Sequence, residues 1–139
     1  MTVVSVAAAI VALLAMLWRA RSSLLLVTIN GDSMAPDLNR GDVVLVHRRR
    51  RYRSGNIALL RLEPGSMPMV KRIVAVAGDP VPDAIRHAIP GMVVPTGAVV
   101  VLGTRPDSID SRRLGPVPVE RVVGVVVGRV RRQAPEVTR

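Results

Sequence analysis

The 139-residue chain carries 20 lysines and arginines against 10 acidic residues, for a formal net charge of +10 and an isoelectric point near 11.8. That length holds one small domain once a membrane segment is subtracted, and that charge suits an anionic partner, either a membrane surface or nucleic acid. The absence of cysteine excludes a disulfide framework, a thiolate nucleophile and a cysteine-ligated metal, while abundant valine, no phenylalanine and only Trp18 and Tyr52 as aromatics point to a β-rich core of branched aliphatics.

The chain opens on an uncharged run from Thr2 to Trp18, closed by Arg19 and Arg21. A helix over this run spans roughly 25 Å, the short end of what crosses a bilayer, and residues 1–21 are expected to form a membrane anchor. A cleaved signal peptide is the main alternative, although no positive n-region precedes the run and no clear small-x-small site follows it. A buried core helix fits no better, since no polar face emerges at helical period. The flanking arginines lie after the span, so charge bias alone would put the following domain in the cytoplasm.

Strands are expected next, at Leu24–Ile29, Val43–His47, Asn56–Leu62, Met69–Ala77, Ala98–Leu102 and Arg121–Val130. Turn signals such as Asn30-Gly31, Gly41-Asp42, Ser54-Gly55, Pro64-Gly65 and Pro90-Gly91 separate them. Short strands at this spacing predict a mainly β fold, a small and mostly antiparallel barrel-like domain over residues 22–132. Residues 133–139 are expected to fray.

Between the second and third strands Arg48, Arg49, Arg50, Arg51 and Arg53 surround Tyr52. The run can contact phosphates of lipid head groups or nucleic acid, or simply form a solvated hairpin tip. One aromatic supplies no stacking platform for bases, so no nucleic-acid partner is expected. His47 and His87 have no ligand-like spacing, and no metal is expected either.

Two segments bear chemistry. Gly31-Asp32-Ser33-Met34-Ala35-Pro36 follows the first strand directly, where a sharp turn would expose the Ser33 hydroxyl and bring amides near an approaching carbonyl. Lys71 is the only lysine in a chain that otherwise uses arginine, which never gives up its proton. Alternation along Met69–Val76 puts Lys71 on one apolar face with Met69, Ile73 and Ala75. Desolvation there lowers a lysine pKa far enough to make a general base near neutral pH. The alternative is a stem packed on the sheet with its ammonium reaching water. Arg72 points to the other face, where a carboxylate partner is expected.

Taken together these segments resemble the type I signal peptidases, the membrane-bound Ser/Lys peptidase family. Residues 31–38 resemble its serine box, Gly41–Val46 the strand that follows, and Val70–Asp79 its lysine box. Val94–Gly97, Gly103, Ser108–Arg112 and Gly115–Pro118 resemble its last boxes, in family order. The resemblance implies that Ser33 is the nucleophile and Lys71 the general base, that Ser108 orients the lysine, and that Asp110, Arg112 and Arg72 form a bracing charged cluster. It implies a preprotein substrate, bound as an added strand with small side chains at the first and third positions before the cut, in pockets for which Met34, Leu38, Met69 and Val70 are candidates. It implies neither cofactor nor metal, and an active site on the outer face of a cell membrane, against the arginine bias. A peptidase dedicated to one precursor, or a non-catalytic basic module on the membrane surface, remains an alternative.

Two positions depart from the family pattern. Gly103-Thr104-Arg105 stands where Gly-Asp-Asn is usual, and Asp37 where threonine is common. The hydroxyl residue found in some relatives two positions before the nucleophile is Gly31, so backbone amides alone would serve an oxyanion. Only about seventeen residues run from Asp79 to Thr96, which leaves no room for the large accessory domain of longer relatives.

Overall fold

A computed structural model describes residues 3–132. The expected fraying of residues 133–139 lies outside the described residues. Helix α1 (Val3–Ser22) spans 20 residues, about 30 Å, and none of its side chains is buried. It is long and apolar enough to cross a membrane. The helix runs past Trp18 through Arg19 and Arg21, because arginine is a good helix former and a cation in the last turn complements the helix dipole. Ser22 and Ser23 hydroxyls donate to the carbonyls of Arg19 and Ala20 and close the helix.

The remainder is one antiparallel sheet of seven strands: β1 (Leu24–Thr28), β2 (Val43–His47), β3 (Ile57–Leu60), β4 (Met69–Val76), β5 (Ala98–Leu102), β6 (Val117–Pro118) and β7 (Val122–Arg131). Their spatial order is β1-β2-β7-β3-β4-β5-β6, an open half-barrel with β1 and β6 at its edges. All six expected strands are present within a few residues of their expected limits. The two-residue β6 and the one-turn helix α2 (Ser111–Leu114) have no signal in hydrophobic periodicity, being too short to show a period.

Alternation buries Val44 and Val46 of β2 and Ile73 and Ala75 of β4, which line a core of branched aliphatics. One part of that core, built from Ile29, Met34, Leu38, Val44, Val46, Leu59 and Val70, lies beneath the loop after β1. Another gathers Val81, Ile85, Ile89 and Val94 from the β4–β5 connection onto Ala75 and Val100. The catalytically interesting segments, the β1–β2 loop, β4 and the β5–β6 connection, are thereby fixed to one rigid sheet.

Candidate active site

Lys71 sits in β4 opposite Ala58 of β3 and is 3% exposed. With the side chain buried at the floor of a cleft, the alternative of an ammonium standing out in solvent does not hold. Nζ donates to Ser108 Oγ at 2.8 Å, and among the described residues Lys71 makes no ion pair. Burial pushes its pKa below the ordinary lysine value; the Asp110 carboxylate pulls back upward and the Arg112 guanidinium adds to the fall. A buried amine with a neutral hydroxyl partner is the environment in which the uncharged form gains most.

The Asp110 carboxylate is near Lys71 but already engaged. Fully buried, it caps α2 by accepting from the Arg112 N–H, takes two further bonds from Arg112 Nε (3.0 Å) and Nη2 (2.6 Å), and accepts from the Gly103 N–H at 2.8 Å. Burial alone would raise its pKa, but these hydrogen bonds hold it below the usual carboxylate range. Its charge is therefore kept down to more acidic pH than in the unfolded chain, and with it the two-pronged Arg112 clamp. Next to it, the buried Ser111 Oγ accepts from the Val101 N–H at 2.9 Å and pins α2 to β5.

Ser33 lies in the loop leaving β1. Bonds from Ile29 N–H to Asp42 O and from Gly41 N–H to Ile29 O close the base of that loop. Met34 and Leu38 are drawn into the core below, 1% and 3% exposed, and force Ser33 between them and solvent. From the other side Thr104 holds the loop: its N–H donates to Ser33 O at 2.8 Å and its hydroxyl to Ala35 O at 2.5 Å. Arg72 Nη2 donates to Asp37 Oδ2 at 2.5 Å, and an Arg129 guanidinium nitrogen donates to Asp37 O. Among the described residues no acceptor takes the Ser33 N–H.

Both departures from the family pattern thus have structural work. Asp37 ties the serine loop to β4 through Arg72, and Thr104 ties it to the β5–β6 connection. Gly103 is where the parts meet. A Cβ there would stand 2.2 Å from Ser108 Oγ and 2.8 Å from Ser33 O, closer than atoms pack.

Two clefts adjoin at Ser33 and Met69. One, of about 450 Å³, is lined by Ser33, Met69, Lys71 and Ser108, with Asp32, Arg105, Asp107 and Ile109 at its walls. The other, of about 280 Å³, is mostly apolar and includes Ser33, Met34, Met67, Met69 and Val70. Met34, Met69 and Val70 thus line a cleft that Ser33 also borders. Leu38 lines neither cleft and packs wholly into the core with Ile29, Val44 and Val46, whereas Met34 belongs to the core and also borders the second cleft. Arg72 lies on the opposite face of β4 from Lys71 and pairs with a carboxylate, that of Asp37, as alternation leads one to expect; it does not join the Asp110 and Arg112 cluster that the resemblance implies.

Comparison with known proteins gives two profile matches, Peptidase S24-like over residues 4–81 and Signal peptidase, peptidase S26 over residues 82–130. The mitochondrial ATP-independent inner membrane protease subunit 1a of Arabidopsis thaliana is 34% identical, the alignment covering 73% of this chain and 67% of that protein. Subunit 1b of the same plant is 37% identical, covering 72% and 66%. The chain thus spans about two thirds of the length of these relatives.

Proposed function

This chain belongs to the type I signal peptidase family, a group of membrane serine peptidases, and we propose that it cleaves signal peptides from exported preproteins with Ser33 as nucleophile and Lys71 as general base. The observation that carries the reading is a buried lysine without a carboxylate ion pair among the described residues, in the same cleft as the half-buried turn serine. In its neutral form Lys71 takes the Ser33 Oγ proton as the oxygen attacks the scissile carbonyl carbon. The same proton then goes to the departing amine, leaving an ester on Ser33 Oγ. A water molecule, deprotonated by the again-neutral Lys71, attacks that ester and frees the enzyme. Ser108 Oγ, accepting one Nζ hydrogen, leaves the nitrogen lone pair free to face Ser33. The unclaimed Ser33 N–H is the donor for the oxyanion.

The substrate enters as an extended strand, with Met34, Met69 and Val70 limiting the apolar cleft to small side chains. In a panel of preproteins with alanine at the first and third positions before the cut, purified protein is expected to cleave several. Phenylalanine in place of the alanine before the cut is expected to slow cleavage by ~100-fold or more, since overpacking a shallow pocket displaces the reacting carbonyl. Cleavage of one precursor only would favour a dedicated maturation peptidase, and equal rates with phenylalanine would exclude these pockets.

The domain is placed on the outer face of the membrane, where exported preproteins emerge, with α1 as its anchor. Protease added to intact cells is then expected to digest the domain; protection until lysis would reverse the orientation.

A further inference from the structure

A cleft of about 420 Å³ lies away from the Ser33 site, walled by Arg48, Arg49 and Arg50, with Tyr52, Glu120, Val119, Val122 and Val123 completing it. Among the described residues none of Arg48, Arg49, Arg50 or Arg51 makes an ion pair, and Glu120 pairs with none of them. So many unneutralised guanidinium groups around one concavity repel each other and gain from a bound anion.

Its place in the fold says which anion. The Arg48 N–H donates to Ser23 O at 2.7 Å, and His47 pairs with Leu24 at the start of β1. The arginine cleft thus begins within hydrogen-bond distance of the residue that follows α1, and Arg19 and Arg21 in the last helical turn add to the same field. With α1 in the bilayer, this cleft sits at the level of the phosphates.

We propose that the cleft of Arg48, Arg49, Arg50 and Tyr52 is a binding site for the phosphodiester head group of an anionic glycerophospholipid, docking the domain onto the membrane from which α1 emerges. Planar guanidinium groups match phosphate oxygens in pairs, and the Tyr52 hydroxyl supplies a further donor. Glu120, on the same cleft, takes a hydroxyl of the head-group alcohol. A solvated hairpin tip would need no cleft, and a nucleic-acid strand would meet one aromatic side chain beside a helix end that belongs in lipid. The proposal rests on α1 being the anchor but not on the peptidase chemistry.

The full chain, purified in detergent, would be offered equal phosphatidylglycerol and phosphatidylcholine, and the retained lipid measured by native mass spectrometry. Wild type is expected to retain phosphatidylglycerol with ~10-fold preference, and the triple variant Arg48→Gln, Arg49→Gln, Arg50→Gln to lose it. A control removing equal charge elsewhere, Arg86→Gln, Arg113→Gln, Arg132→Gln, is expected to keep the preference, and cleavage by all three proteins in phosphatidylcholine is expected to be unchanged. Absence of preference in wild type, or its equal loss in the control, would overturn the site. So would displacement of the lipid by millimolar inorganic phosphate or by a short single-stranded RNA, either of which would make lipid the wrong ligand.

Discussion

Replacing Lys71 by arginine is expected to abolish signal-peptide cleavage as fully as Ser33→Ala does, each by ~1,000-fold or more. The two substitutions remove different things. Ser33→Ala takes away the attacking oxygen, whereas Lys71→Arg keeps a cation of similar reach and takes away only the capacity to lose a proton. Lys71→Met separates chemistry from folding, because it removes a buried charge without leaving a partner charge exposed; it is expected to be inactive yet at least as resistant to heat as wild type. Wild-type rate is expected to rise with pH as Lys71 passes from ammonium to amine. Burial lowers that transition, so the rising limb should lie below the ordinary lysine range. The measurement is kcat/KM against pH with a peptide substrate. A fully active Lys71→Arg enzyme, or a limb at the ordinary lysine value, would remove the dyad from consideration.

Gly103→Ala is expected to be damaging as well, though less so than the loss of Ser33 or Lys71, and residue 103 carries no reactive atom. The added methyl collides with Ser108 Oγ and with Ser33 O at once. Rotating Ser108 Oγ away breaks its 2.8 Å bond to Lys71 Nζ and still leaves the Ser108 Cβ 2.8 Å from the added methyl. The Ser33 carbonyl can escape only by moving the backbone that carries the proposed nucleophile. Displacements of this kind cost about 100-fold in rate, and the strain of overpacking costs about 1–3 kcal/mol of stability. The expected signature is a fall in kcat with KM little changed and a modestly lowered Tm. Wild-type kcat in Gly103→Ala would mean that Ser108 does not set the position of Lys71.

Much of the fold was legible because valine-rich strands alternate cleanly and Pro-Gly turns mark their ends. Lys71 was legible for the same reason: alternation alone places it with Ile73 and Ala75 on the buried face. What stayed hidden depends on pairings between distant segments. Nothing in the run Asp37-Leu38 shows that its carboxylate meets Arg72 across 35 positions while its leucine turns into the core. The Thr104 grip on the serine loop spans 71 positions and reads locally as a mere departure from a motif. Clusters proposed from matching motifs mix such cases. Asp110 and Arg112 are close in sequence and meet; Arg72 is distant and finds another acid.

The direct passage from α1 into β1 has a mechanical meaning. Only Ser23 separates the helix from the strand, and its carbonyl is bonded to Arg48, so the domain has no slack relative to its anchor. β1 covers five residues, roughly 17 Å at the rise of an extended chain, and the Ser33 loop begins at its far end. On the proposed reading, with α1 as the anchor, the enzyme would behave as a caliper with one jaw in the bilayer. A substrate held in the same bilayer by its own apolar segment would present only the bond that lies at this height. Cleavage position would then be chosen twice: by the small side chains that fit beside Ser33, and by the number of extended residues between the bilayer and the cut.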